Sequence, residues 1–310
     1  MNSVTNPPSD IPSLAAIVDS LERAARSARI TKEDIEPGLD VLSECLEILN
    51  AIEPTVPEPL RIIHHLSCVG GTVVTKCIAS MANVLILNEL DFHSPLTAIA
   101  QGKPTFTPTD IVSLLKQGDA NIGDELLTQL LVENLATVIA NQQLIGRSVV
   151  LREHSHGHFL VGPSAHPDKG TLSLIADKVQ TLSLVTVRDP AESFLSMKKA
   201  GWHTHFTPSE FHEYAGRYHA FLDAHEGAPI VKYEDFVEAP QKTMKQICDH
   251  LNLAYYDAFL EVFNSFEFSG DSGRGGKVLQ RFSKREEADQ FRQHTSYRDL
   301  ADRLGYDDAS

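Results

Sequence analysis

Residues 61–81 read RIIHHLSCVGGTVVTKCIASM, and Gly70, Gly71 and Thr72 within them carry the clearest chemical pattern of the chain. An apolar strand with Ile62, Ile63 and Leu66 runs into the glycine turn, and the spacing predicts a helix from Thr72. Glycine lets the backbone approach an anion closely. The free N–H groups of a helix start point at that anion with the positive end of the helix dipole behind them. No Gly-Lys-Ser/Thr follows at the spacing GxxxxGK[ST], so the residues that hold ATP with magnesium are missing. A Gly-Gly turn before a helix is also an ordinary tight connection. Cys68 beside the turn reads as a small packing residue rather than a nucleophile.

A second anion-binding pair lies at 182–197, LSLVTVRDPAESFLSM. Here a strand ends in Arg188, Asp189-Pro190 opens a helix, and Ser196 sits two turns along it. An arginine fork and a serine hydroxyl could grip one phosphate from two sides. The bland alternative pairs Arg188 with Asp189 or Glu192 and leaves Ser196 in solvent. Further on, SGDSGRGGKVLQR (269–281) sets Arg274, Lys277 and Arg281 among four glycines, Gly275 between the first two cations. Such a segment either folds over a bound polyanion or is a mobile surface loop.

These residues need a scaffold, and the chain supplies strands that alternate with helices. Strands are predicted at 60–67, 84–89, 148–153, 181–187 and 229–233. Helices are predicted at 72–82, 109–117, 122–143, 171–179, 191–200, 208–226 and 240–251. Short apolar strands separated by helices predict a central parallel sheet flanked by helices, an α/β fold, with ligands at the carboxyl ends of the strands. Glu89, Arg152, His154 and Arg188 all follow strand ends. Ahead of this domain (60–310), residues 1–10 read as disordered. Residues 11–59 read as a helical extension, with amphipathic helices near 13–27 and 32–52 and a proline-rich linker. Trp202 and the spaced aromatics Phe206, Phe211, Tyr214, Tyr218 and Phe221 read as packing.

The 310 residues carry a net charge of −15. An acidic chain is a poor partner for nucleic acid, so any basic residue inside a motif is more informative. Four cysteines without a CxxC pair make no disulfide framework. Neither a secretory signal nor an apolar run of membrane-spanning length is visible, so the expected location is cytoplasmic.

Taken in this order, the motifs resemble the sulfotransferases that use 3′-phosphoadenosine 5′-phosphosulfate (PAPS), over roughly residues 60–283. The turn at Gly70–Gly71–Thr72 is similar to that family's 5′-phosphosulfate loop. Arg188 and Ser196 match its 3′-phosphate motif in type and spacing. YEDFVEAPQKTMKQICDHLNL, at 233–253, resembles its Tyr-Glu-Asp segment, and the glycine-rich stretch around Arg274, Gly275 and Lys277 resembles the part that closes over the 3′-phosphate. The resemblance implies a single P-loop-like domain related to nucleotide kinases, with PAPS as co-substrate, PAP as product and no metal. Two positions depart from the family loop. Val69 stands where a lysine is common, with Lys76 or Arg152 as replacement cations. Val73 stands for a second threonine, with Thr75 as the substitute hydroxyl.

Sulfuryl transfer of this kind is an in-line displacement by an acceptor hydroxyl or amine, assisted by a base and by cations at the departing oxygen. His154 is the favoured base by its position after the strand SVVLRE, with Glu89 as the other candidate. HSHGH, at 154–158, alternates like strand-mounted metal ligands, but one functional histidine among neighbours is the preferred reading. The acceptor, a small molecule or a glycan, cannot be read from the residues. Two other readings stand beside this one: a nucleotide or small-molecule kinase of related fold, and a non-catalytic PAP-binding or nucleotide-binding protein.

Overall fold

The computed structural model describes residues 57–96, 106–119, 121–269 and 285–306. The chain divides into two units, 1–56 and 57–310, and all the described residues lie in the second. The helices expected near 13–27 and 32–52, and the segment with Arg274, Gly275 and Lys277, fall outside the described residues.

Five parallel strands form one sheet: β1 (Leu60–His65), β2 (Val84–Asn88), β3 (Ser148–Arg152), β4 (Thr181–Val187) and β5 (Ile230–Lys232), in the order β2-β3-β1-β4-β5. The register sets Ile63 opposite both Arg152 and Leu184. Side chains alternate across the sheet. Ile63, Val150 and Leu184 pack on one face, while Ile62, Val149 and Leu151 pack on the other. Both faces are dry because helices cover both, as parallel sheets require. On the Ile63 face lie α1 (Gly71–Ala79), through Val74, Cys77 and Ile78, and Pro240–Leu251, through Met244, Ile247 and Leu251. On the Ile62 face lies Asp124–Leu144, which buries Leu127, Leu131, Leu135 and Ile139 at helical spacing.

A third apolar cluster fills the side of β4. Its helices are Pro190–Ala200, Phe211–Ala224, Arg285–Arg292 and Thr295–Leu304, which bury Phe194, Phe211, Tyr214, Tyr218, Phe291 and Leu300. Phe206, Phe211, Tyr214, Tyr218 and Phe221 are all buried, as their spacing predicts, and half-buried Trp202 packs against the same cluster. The last two helices and a short one at Ser155–Phe159 were not among the predicted elements.

Because all strands run the same way, their carboxyl ends share one edge. Glu89 after β2, Arg152 at the end of β3, the 66–72 turn after β1, Arg188 after β4 and Tyr233 after β5 line this edge in the order of the sheet. Among the described residues, no helix is long and apolar enough to cross a membrane.

Candidate active site

The loop between β1 and α1 turns through two left-handed residues, Cys68 (φ 67°) and Gly70 (φ 91°). Left-handed positions of this kind are what build backbone concavities for anions. The start of α1 has no side-chain cap, so its first amides are offered to the loop rather than to a Ser or Asp. Neither glycine tolerates a side chain. A Cβ on Gly70 would lie 2.2 Å from Cδ2 of Tyr233, and one on Gly71 would lie 2.4 Å from Cγ of His65. Gly70→Ala combines that clash with a strained φ, and is expected to cost on the order of 2–4 kcal/mol. An unchanged denaturation midpoint would show that the turn adapts.

Arg152 stands on one side of the loop. Its guanidinium is buried, donates to the Thr72 hydroxyl (2.9 Å) and to Asn88 Oδ1 (3.0 Å), and pairs with Glu89 Oε1 (3.1 Å). Its Nε donates to His65 Nε2 at 2.7 Å. That fixes the tautomer, because the remaining proton sits on Nδ1 and is donated to the Leu66 carbonyl at 3.0 Å. Burial, and then the Arg152 charge, hold His65 well below the ordinary imidazole value. His65 thus acts as a neutral prop that aims Arg152 at Thr72.

Arg188 stands on the other side. Its Nη1 donates to the Cys68 carbonyl (3.3 Å) and to Ser196 Oγ (3.4 Å), and its Nη2 pairs with Glu192 (3.0 Å). The guanidinium lies 5.2 Å from the centre of the Tyr233 ring, the ring that also meets Gly70. Asp189 caps the helix behind it by accepting from Glu192 N, with Pro190 in the first helical position as predicted. Arg188 therefore pairs with Glu192, as the bland reading has it, and reaches Ser196 as well. Glu192 and Asp189 are also met by Arg292 (3.6 and 3.1 Å), and Tyr297 donates to Asp189 (3.1 Å).

The other loop residues contact the protein itself. Val69 is fully buried in the apolar cluster, so its side chain offers a ligand nothing. Val73 packs against another apolar cluster. The Thr75 hydroxyl is buried and donates back to the Gly71 carbonyl at 2.8 Å. Lys76 lies one turn beyond Thr72 and is only 6% exposed, whereas Arg152 touches Thr72 directly.

The two base candidates stand in different settings. Glu89 sits in left-handed backbone (φ 57°), with one carboxylate oxygen on Arg152 and the other on the Ser269 hydroxyl. His154 is 20% exposed and turns Nδ1 toward Ser94 Oγ (3.3 Å) and Asp91 Oδ2 (3.6 Å). The HSHGH stretch is not a strand. His154 precedes the short helix Ser155–Phe159, and His156 and His158 are buried. His158 Nε2 approaches Asp91 Oδ2 to 2.9 Å, close enough for an ion pair though not aligned as a hydrogen bond. His156 Nδ1 meets Ser67 Oγ (2.5 Å), its Nε2 meets His205 (2.9 Å), and burial depresses it to about 3.

Asp91 was not anticipated. It lies in the loop after β2, where no periodicity marks a side chain as inward. Burial alone would raise its carboxyl, but the contacts from His154 and His158 outweigh burial and hold it near 2. A depressed carboxyl stabilises the fold above its ordinary value of 3.8, and that stabilisation is lost as pH falls toward 2. Asp91→Asn is therefore expected to lower stability near neutral pH by about 2 kcal/mol. The gap from the parent chain should close in the acid window, as followed by denaturant titration at several pH values.

Comparison with known proteins bears on the Arg188 side first. A sulfotransferase family model matches residues 182–257, which include Arg188, Ser196 and Tyr233. Over this stretch, about a quarter of its length, the chain is similar to the sulfotransferase family. The match spans β4, the Arg188 helix and the Tyr233 segment, and it does not extend to the glycine loop. Solved sulfotransferases align with more of the chain. A sulfotransferase domain from the olefin synthase of Synechococcus PCC 7002 aligns with 82% of this chain and 97% of its own, at 16% identity and TM-score 0.48. A sulfotransferase from Alicyclobacillus acidocaldarius aligns with 68% of this chain and 92% of its own, at 15% identity and TM-score 0.35. A mouse sulfotransferase complexed with PAP aligns with 84% of this chain and 94% of its own, at 10% identity and TM-score 0.38. No curated protein matches the chain.

Proposed function

We propose that this protein transfers a sulfuryl group from PAPS to a hydroxyl or amine of a small-molecule or glycan acceptor. One observation carries the reading: the turn after β1 is held between two arginines from the neighbouring strands. Arg152 is fastened to Thr72 and Arg188 to the Cys68 carbonyl. This provides cationic and amide donors for two anionic groups joined by one nucleoside. The 3′-phosphate falls to Arg188 and Ser196, which lie inside the sulfotransferase segment. The 5′-phosphosulfate falls to the loop at Gly70, Gly71 and Thr72.

In this reading Arg152 does the work of the absent loop lysine. It meets the charge that builds on the bridging oxygen as the bond to sulfur breaks. A guanidinium propped by neutral His65 is pre-aimed, so little reorientation is needed during reaction. His154 removes the acceptor proton, and Asp91 steadies the imidazolium that results. Arg274, Gly275 and Lys277, outside the described residues, are assigned to closure over the 3′-phosphate.

The test is thermal stabilisation by PAP set against ADP and ATP. A ligand that binds only the native state raises the melting temperature as its excess over Kd grows. PAP is expected to shift the transition, and ATP with magnesium to leave it where it was. A response to ATP and none to PAP would favour the kinase reading. Saturable PAP binding with no transfer to any of a panel of phenols, sterols and sugars would favour the non-catalytic one.

A further inference from the structure

On the opposite side of β3 from Arg152, three side chains converge that sulfuryl transfer does not use. His64 Nδ1 lies 2.6 Å from Glu153 Oε2, and His225 Nε2 lies 3.6 Å from the same oxygen. All three residues are buried, with Glu153 at 1% exposure, and their donor atoms fall within 4.8 Å of one another. They come from β1, from the residue after β3, and from the end of the helix Phe211–Ala224.

The outer contacts of the group are already settled. His225 Nδ1 donates to the Phe221 carbonyl at 2.7 Å, because a carbonyl can only accept. A neutral His225 therefore turns the lone pair of Nε2 toward a carboxylate oxygen. Two lone pairs facing each other inside the protein need a cation between them. Among the described residues, the only ion-pair partners of Glu153 are these two imidazoles, so neither Arg nor Lys supplies it. Ser183 Oγ stands 3.1 Å from His64 Nε2, and Ser155 donates to Glu153 Oε2 at 2.9 Å. Each imidazole thus has an oxygen on the nitrogen that faces away from the cluster, and the carboxylate has a hydroxyl. That is the outer shell expected around a metal held by two histidines and a carboxylate.

We propose that His64 Nδ1, Glu153 Oε2 and His225 Nε2 bind a divalent transition metal ion of the zinc type. Two imidazoles and a carboxylate are a known ligand set for zinc, with a fourth position left for water. A cavity of about 360 Å³ lined by Glu153, His225, Phe159, Asp168 and Gly170 borders two of the three ligands and is the space from which a water would come. On binding, the His64 proton moves from Nδ1 to Nε2 and is donated to Ser183 Oγ, so no proton is released from that ring. The ion replaces the 2.6 Å contact with Glu153 by two metal–ligand bonds. It fastens β1, the end of β3 and a helix terminus directly behind His154. The proposal is independent of the sulfuryl-transfer reading, because none of the three residues faces the loop or Arg188 in any contact described above.

The experiment uses the full chain, stripped with a chelator and shown to remain folded. It is titrated with Zn²⁺, and with Co²⁺ as a coloured substitute. One equivalent of either ion is expected to bind, with a ligand-field absorption for Co²⁺ and a melting temperature that rises with Zn²⁺. Glu153→Gln and His225→Ala are each expected to lower affinity by at least about 100-fold, since outer-shell losses alone cost 10–100-fold. If the folded parent chain shows neither the absorption nor the melting shift, a proton fills the gap and the proposal is overturned. It is equally overturned if both folded variants bind with parental affinity, because the ion then sits elsewhere. Variants that fail to fold leave the parent titration to decide.

Discussion

Arg188→Ala is expected to remove the melting shift given by PAP while leaving a folded protein. The proposed 3′-phosphate contact is a charged, hydrogen-bonded pair in a half-buried setting. Truncating one partner of such a pair costs about 2–5 kcal/mol, roughly a 30- to 5,000-fold loss of affinity. Ser196→Ala removes one neutral donor, worth about 1 kcal/mol or some fivefold. Arg188→Lys keeps the charge and loses the fork, so it should fall between the two. The fold pays little, because Glu192, which is 2% exposed and loses Arg188 as its partner, still has Arg292 at 3.6 Å. The competing account makes Arg188 a tether that ties the 66–72 turn to the helix through Cys68 and Glu192. In that case Arg188→Ala lowers the melting temperature, and the increment produced by PAP persists. Calorimetric titration with PAP on the folded variant separates the two outcomes.

The strands were legible because a strand covered on both faces is rich in consecutive apolar residues, as VLILN and SVVLR are, and because the shorter apolar stretches in LRIIHH and TLSLVTV are likewise separated by helices. Their parallel order followed from the helices between them. The short helix Ser155–Phe159 was not legible. Five residues with two histidines and a glycine hold too little for a 3.6-residue period to show. The two terminal helices did carry a signal. Tyr297, Leu300, Ala301 and Leu304 repeat at helical spacing within a polar stretch, and that is what brings Arg292 and Tyr297 to Asp189.

Within the site, the residues adjoining glycines and strand ends could be read from spacing, whereas their partners could not. His65 and Arg152 are 87 positions apart, and they meet only because β1 and β3 are neighbours in the sheet. The same holds for Arg188 and Cys68 across β1 and β4. Spacing put Lys76 first and Arg152 second as replacements for the missing lysine. The sheet order puts Arg152 against Thr72. Thr75 illustrates the opposite limit: a hydroxyl four residues into a helix can bond its own backbone, and here it does.

The second large effect concerns the base. His154→Asn is expected to lower turnover by about 10²–10⁴ with PAP binding unchanged, and Glu89→Gln by less than about tenfold. A base must keep a lone pair available and gain stability when it takes the proton. Glu89 meets neither condition well, since one carboxylate oxygen is held by Arg152 and the other by the Ser269 hydroxyl. His154 meets both. Nδ1 faces Ser94 and Asp91, which leaves Nε2 without a hydrogen bond among the described residues and sets a carboxylate 3.6 Å from the ring to meet the charge it gains in the reaction. Asp91 is then a positioning residue, so Asp91→Asn should lower turnover by a smaller factor than His154→Asn. Turnover is read as PAP released from PAPS with whichever phenol, sterol or sugar supports transfer. If Glu89→Gln silences that release while His154→Asn retains it, proton removal belongs to the strand end after β2. Arg152 would then have to let go of Glu89 before each turnover, and the pairing at 3.1 Å would mark a resting state rather than the reactive one.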